Sequence, residues 1–273
     1  MRPSAASRAG YYTTSAALAI LFLLPLLWSG YSSLEGEAGS GQESGFGFGN
    51  YTRMAEYGEG VWTYLFNTAA VSLMTVAGTL FVSALGGYAF ARFRFPGKNL
   101  LFLATLAILM VPYATILIPL YVVLGNLGLQ NSLVGLSLVL IMFQLPFAIF
   151  MMRNSFEAIP RELEEAALVD GCTTFSALRR ILLRAVRPGL ITVGLFAFLA
   201  SWNDFFAPLI LLSDGDKFTL PVAVVAMRER SFGAIDYGAL EAGVMVMALP
   251  CVILFLLLQR HYVQGFTTGA LRG

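Results

Sequence analysis

The sequence predicts an all-α integral membrane protein with six transmembrane helices, and three observations carry that reading. The chain has 273 residues, 58% hydrophobic and only 12% charged, with a mean hydropathy of +0.75. A soluble domain carries about 25% charged residues. Six separate apolar runs each approach the roughly 20 residues that a helix needs to cross a ~30 Å hydrocarbon core. Finally, Lys and Arg gather in alternate loops, as they do when one side faces the cytoplasm. Such a composition excludes a soluble enzyme, a disordered tail and a nucleic-acid binder, all of which need a polar or basic surface. The formal net charge of +1 says nothing about partners.

In chain order the predicted spans are Thr14–Leu34, Leu65–Phe90, Leu100–Leu124, Leu133–Met152, Gly189–Leu212 and Ala239–Leu258. Only Asp204 and Glu241 place an ionisable group within them. The first run, preceded by Arg2 and Arg8, has the outline of a signal peptide. It is long for such a segment and no small-x-small cleavage pattern follows, so a retained helix is expected. With a cytoplasmic N-terminus, thirteen of the 17 Lys and Arg residues fall on the inner side: Arg2, Arg8, Arg92, Arg94, Lys98, Arg153, Arg161, Arg179, Arg180, Arg184, Arg187, Arg260 and Arg272. Only Arg53, Lys217, Arg228 and Arg230 fall outside. Both termini are therefore expected in the cytoplasm.

The spans divide the chain into three parts: residues 1–64, with the first helix and a Gly-rich, acidic outer loop at Glu35–Tyr64; a membrane domain at 65–260; and a cytoplasmic tail at 261–273. Gly36–Gly49 reads as a flexible outer segment and residues 124–133 as a short outer hairpin. The inner stretch at 153–188 carries eleven charged residues. Loops that long in a compact protein are usually functional. Cys172 and Cys251 form no C-x-x-C pair, and His261 is the single histidine. No metal-ligand cluster or nucleophile–base grouping follows from these residues. No phosphate-loop pattern G-x-x-x-x-G-K-[ST] occurs. The chain is thus expected to be no enzyme and to hold no cofactor or metal of its own.

The 153–188 stretch has its own helix grammar. Pro160 suits a helix's first position, and Glu162, Glu164 and Glu165 suit the positive end of the dipole. Gly171 suits a left-handed C-terminal stop. The pattern predicts a helix over Arg161–Asp170 with Leu163, Ala166, Ala167 and Asp170 on one face. A second, basic segment, Phe175–Arg187, leads through Pro188 into the fifth span. A helix lying on lipid headgroups would carry Lys and Arg on its polar face, whereas this one is acidic. Insertion into a groove on a partner protein suits it better.

The residues of this loop resemble the EAA loop of ABC-importer permeases. Glu165, Ala166 and Ala167 are followed after three residues by Gly171, and after nine more by Ile181 and then Leu183. The motif's usual final proline is replaced by Arg184, with Pro188 four residues later. The run GYAFARFRFPGK from Gly87 to Lys98 is similar to the segment after the second span of carbohydrate-type permeases. Asn131-Ser-Leu, Leu145-Pro-Phe and the run from Ser201 to Leu209 (SWNDFFAPL) resemble other segments of that branch. The ending from Val263 to Gly273 resembles the tail of the maltose-type second permease subunit.

These matches run in order from about Asn67 to the end of the chain. The resemblance implies a type I ABC importer transmembrane domain whose coupling helix, with Glu165, Ala166, Ala167, Asp170, Gly171, Ile181 and Leu183, docks on a cytoplasmic ATPase. It further implies a second permease subunit, two ATPase copies that use ATP and Mg, and a sugar-binding protein outside. The tail, with Gly265, Thr267, Thr268, Gly269 and Gly273, is a flexible polar end that either hangs free or reaches the ATPase pair.

Within the membrane, Asp204 is the residue to follow. Counted as continuous helix from Gly189, it lies about 22 Å from the inner face, where a lone carboxylate costs several kcal/mol. It must face a partner group or a wet cavity. With Trp202 as a flat apolar face and Asn203 as a two-way amide, it suits a sugar; equally, Asn203 and Asp204 suit a bridge between helices or subunits. Gln144, Tyr121 and Tyr88 are weaker pathway candidates, each also able to satisfy a neighbouring helix. Pro112, Pro119, Pro146, Pro208 and Pro250 are expected to kink their spans. Two other readings remain: an amino-acid or peptide permease, which the EAA loop alone would fit, and an ion-coupled carrier, which the scarcity of buried ionisable groups disfavours.

Overall fold

A computed structural model of the chain describes residues 5–35, 45–227 and 236–270. The expected positions of Arg2, Arg228, Arg230, Arg272 and Gly273 lie outside these residues, as does most of Gly36–Gly49. Without water, backbone groups must be satisfied within the segment itself, so apolar runs form helices. Four are long and apolar enough to cross a membrane unbroken: Gly10–Leu34, Val61–Arg92, Leu133–Glu157 and Tyr237–Gln259. Among the described residues two further helix pairs pass the same test only when taken together and are sharply bent, Lys98–Met110 with Tyr113–Asn126 and Thr174–Ala185 with Arg187–Trp202. Four of the six expected spans are thus unbroken helices, the third coincides with the bent pair at Pro112, and the fifth coincides with α10 only as far as Trp202.

The elements are α1 (Ala5–Leu34), α2 (Gly49–Glu56), α3 (Val61–Arg92), α4 (Lys98–Ala107), α5 (Tyr113–Asn126), α6 (Leu133–Glu157) and α7 (Arg161–Val169). They continue as α8 (Thr174–Ala177), a π turn at Leu178–Leu182, α9 (Leu183–Ala185), α10 (Arg187–Trp202), α11 (Phe206–Leu211), α12 (Leu220–Met227) and α13 (Tyr237–Ala270). Two further features go beyond the expected outline. The outer loop at Glu35–Tyr64 is partly folded, because it contains α2 and the first turn of α3. The tail is helical as far as Ala270 rather than a loose end, since α13 continues past the apolar span.

The third and fifth spans depart from continuous helix for identifiable reasons. Val111 precedes Pro112 and adopts an extended backbone, φ −82° and ψ 126°, as steric contact with the proline ring favours. The two halves meet there at 105°. Pro119, Pro146 and Pro250, by contrast, sit inside unbroken helices. The fifth span ends at Trp202 instead of running to Leu212, and Asn203–Phe205 separate it from the short α11. The Asn203 amide turns back onto Leu199 O at 2.8 Å, and Asp204 Oδ1 accepts from Ala207 N at 2.9 Å, starting a new helix. Short polar side chains that bond their own backbone end one helix and open another.

The chain divides into two compact units. The first, Met1–Trp62 with Ala223–Pro250, ties α2 onto the end of α1. Buried Asn50 donates to Ser33 O and Glu35 O, and Ser33 shares a hydrogen bond with Tyr51. Arg53 pairs with Asp236 at 3.4 Å, and Asp236 caps α13 by accepting from Ala239 N.

The second unit is Thr63–Val222 with Cys251–Gly273. Here α3 and α6 pack closely: a Cβ on Gly87 would sit 2.5 Å from Met152 Cβ and 2.8 Å from Arg153 N. Gly78 faces Ile141 and Gly86 faces Ile149 along the same seam. One buried cluster, with Val71, Leu117, Leu136, Leu140 and Leu211, fills the end near the 124–133 hairpin. Another, with Tyr88, Met152, Phe156, Leu182 and Val186, fills the end that carries the 153–188 loop.

Candidate functional site

The 153–188 loop forms the first candidate site. α7 occupies Arg161–Val169, as the loop's grammar predicts, with Pro160 one position earlier than expected, at its N-cap. Gly171 takes φ +87°. Its N–H bonds Leu168 O at 3.0 Å, and Cys172 N–H bonds Ala167 O at 3.0 Å. This pair of bonds is the Schellman stop, which satisfies carbonyls that the helix end would leave open. A Cβ at Gly171 would meet nothing within 4 Å, so backbone conformation alone demands glycine there.

The face that α7 turns inward differs from the expected one. Ala167 is 3% exposed, packed inside this chain rather than displayed with Leu163, Ala166 and Asp170. Glu164, three residues earlier, also points inward and pairs with Arg92 Nε at 3.1 Å. Dipole preference alone makes the three acids of the first turns equivalent; the structure separates Glu164 from exposed Glu162 and Glu165. The outward surface carries Glu165, Ala166 and Asp170 beside exposed Leu168 and Val169, the latter 88% exposed. Ile181 and Leu183 lie on the π turn and α9 and are partly buried. Leu183 packs against the buried cluster at that end. Arg184 is exposed in α9, and the chain turns through 78° before Pro188 opens α10.

The second candidate site is the break at Asn203–Phe205. Asp204 is partly buried, and its Oδ2 accepts a 2.6 Å bond from the Tyr113 hydroxyl. Tyr113 opens α5 immediately after the Pro112 break and packs edge-on against Phe143, centroids 4.5 Å apart. The break at Pro112 is thus joined to the segment Asn203–Phe205 that ends α10. Of the two readings that the sequence left for Asp204, the bridge between helices is present. Trp202 is buried, stacked on Phe198 at 5.3 Å, and lines an apolar cavity of about 550 Å³ with Leu73, Leu80, Gly194 and Leu254. Asn203 is exposed, Tyr121 is 42% exposed on α5, and Gln144 is partly buried on α6. None of these three shares a hydrogen bond with Asp204 among the described contacts. Tyr113 was missed because an aromatic residue after a proline carries no periodic or charge signal.

The arrangement has the chemistry of a transport subunit: helices that need lipid, two spans broken at polar joints, and a short acidic helix held outside them. Comparison with known proteins agrees. Residues 83–267 match the family described as the binding-protein-dependent transport system inner membrane component.

This chain belongs to that family.

It is 36% identical over 212 residues to the diacetylchitobiose uptake system permease protein DasC of Streptomyces coelicolor, covering 78% of this chain and 76% of the relative. It is 34% identical over 273 residues to the trehalose transport system permease protein SugB of Mycobacterium tuberculosis, covering 98% and 99%. Its fold is similar to a chain in the crystal structure of a bacterial ABC transporter involved in the import of the acidic polysaccharide alginate. That match has TM-score 0.78 and 22% identity, and covers 95% of this chain and 99% of that one. The chain is therefore a multi-pass membrane permease of the sugar ABC-transporter group, with the type I importer fold, and its family consists of transport subunits rather than enzymes.

Proposed function

We propose that this permease is the membrane-spanning subunit of an ATP-driven carbohydrate importer, with both termini cytoplasmic. It pairs with a second permease subunit and sits on two copies of a cytoplasmic ATPase, which bind ATP and Mg in its stead. A binding protein on the outer side delivers the sugar. One observation carries the reading: α7, stopped by Gly171, holds Glu165 and Ala166 outward beside exposed Leu168 and Val169. Apolar side chains displayed on an acidic helix outside the spans suit a groove on a protein partner. The relatives' cargoes, diacetylchitobiose and trehalose, support a carbohydrate.

Transport then follows alternating access. The ATP-bound and free ATPase states differ in their preference for two permease conformations, and α7 conveys that difference. The Tyr113–Asp204 joint supports a role in holding the broken spans rather than direct contact with sugar. Purification of the tagged chain in mild detergent is expected to recover an ATPase and a second permease, both identified by mass spectrometry. Gly171→Asp is expected to lose the ATPase and abolish uptake while the chain stays inserted. Normal transport by Gly171→Asp, or a chain that emerges alone and takes up sugar under an ion gradient, would sink the importer reading. The co-recovered binding protein, screened against sugars and against amino acids or peptides, decides the cargo class.

A further inference from the structure

We propose that Arg92 and Tyr88 are positioning residues that fix the coupling helix α7 to the second span, so that α7 and α3 move as one body. The inference rests on the importer reading above and adds the route by which α7 reaches the membrane. Glu164 in the first turn of α7 pairs with Arg92 Nε at 3.1 Å, and the two side chains are 13% and 6% exposed. The same guanidinium donates to Ile159 O at 2.9 Å, so one residue grips both the entry to the loop and the helix beyond it. The Tyr88 hydroxyl donates to the other oxygen of Glu164. Tyr88 is itself buried and packed edge-on against Phe156, at the last turn of α6.

Arg92 and Tyr88 stand one helical turn apart on α3, beside Gly87, where α3 and α6 make their closest approach. The strut therefore ends beside a glycine-mediated contact between α3 and α6 that leaves no room for a Cβ. Ala167, one turn after Glu164, completes the inward face of α7. Lysine would not replace Arg92, because a single ammonium lacks the planar fork that reaches a carboxylate and a carbonyl together. A charge pair removed from water is costly to leave half-made, so its two members act as a unit.

The test uses the complete transporter in liposomes, with sugar uptake and ATP hydrolysis measured together. Arg92→Met is expected to keep the ATPase bound and hydrolysing while uptake per ATP falls about tenfold, within the usual range of coupling factors. Tyr88→Phe, which removes one bond, is expected to lower that ratio about twofold. The exchanged pair R92E/E164R is expected to transport better than either single variant, because it restores the ion pair without the bond to Ile159 O. An unchanged ratio in Arg92→Met, or an exchanged pair no better than the worse single variant, overturns the proposal. If Arg92→Met prevents assembly and Tyr88→Phe leaves the ratio unchanged, the contact is merely structural and the proposal is wrong. A wild-type chain that holds no ATPase would overturn the importer reading itself, whereas unaltered coupling in the variants overturns only the strut.

Discussion

The straight and the broken spans of the second unit solve the same problem in opposite ways. α3 and α6 run 32 and 25 residues without interruption and meet through glycines, with Gly87 against the backbone of Met152 and Arg153. Some of their buried hydroxyls bond the preceding turn, as Thr68 does to Tyr64 O and Ser137 to Leu133 O, while Ser72, Thr75 and Thr79 on α3 are buried without a hydrogen-bond partner among the described residues. The third span breaks at Pro112, and α10 ends at Trp202 with Asn203–Phe205 between it and α11; Tyr113 and Asp204 join these two places. Close glycine packing holds a seam by shape, which tolerates no added atom. A break exposes backbone groups that only polar side chains can satisfy. The glycine seam leaves no room for an added atom, whereas the polar joint holds the chain by directed hydrogen bonds.

The largest expected effect comes from attacking the seam. Gly87→Ala places a Cβ against backbone atoms that cannot yield, and is expected to destabilise the chain by about 3 kcal/mol. Gly194→Ala meets only the flexible ends of Leu80 and Val76 at 3.6 Å or more. It is expected to be neutral or to stabilise by about 0.5 kcal/mol. Thermal unfolding of both variants in detergent checks the contrast, and equal losses would mean that α3 and α6 are not welded there.

At the broken spans, Asp204→Ala removes the acceptor of both the Tyr113 hydroxyl and Ala207 N–H, an expected cost of about 2 kcal/mol. Tyr113→Phe removes one of those bonds and is expected to cost about 1 kcal/mol. Asp204→Asn keeps one acceptor oxygen, for Ala207 N–H, and turns its NH2 donor towards the Tyr113 hydroxyl, which can accept from it, so its cost is expected to fall below that of Asp204→Ala. A double-mutant cycle in the same assay measures the joint, and strict additivity would show that the two side chains do not interact.

A smaller effect belongs to the end of α7. Gly171→Val puts a β-branched residue at φ +87° in open space, at an expected strain of about 1 to 2 kcal/mol. Global melting is expected to move little, while retention of the ATPase in pull-downs falls. A variant that melts early yet keeps its ATPase would reverse that assignment.

The smallest effect lies at the exposed outer turn, where Asn131 and Lys217 both bond Asp214. Lys217, and then Asn131, hold the Asp214 carboxyl below its ordinary range, while Asp214 raises Lys217. A lowered carboxyl stabilises the turn above the ordinary carboxylate range and loses that contribution as pH falls through the lowered value. A raised lysine contributes below the ordinary lysine range and loses it as pH rises through the raised value. Amide exchange over residues 213–218, corrected for intrinsic rates, is expected to be slowest between those limits. Asp214→Asn is expected to abolish the acid limb.

Much of this protein was legible before its structure. The apolar runs located the spans because lipid leaves a charge-free stretch of that length one stable conformation. Glu162, Glu164 and Gly171 marked α7 because dipole and C-cap preferences act within a single turn. Other features had no local signature. Pro112 stands at a break between two helices while Pro146 lies inside one, a difference that the prolines themselves do not carry.

Composition, helix periodicity and caps thus determined, by short-range physics, that the chain is helical, membrane-spanning and fitted with an acidic loop helix. Tertiary structure alone decided that Glu164 and Ala167 turn inward and that Tyr113 meets Asp204. Those contacts join residues 72 and 76 positions apart, for Arg92 and Tyr88 with Glu164, and 91 for Tyr113 with Asp204. Such distances set them by packing between helices, which no window of sequence contains.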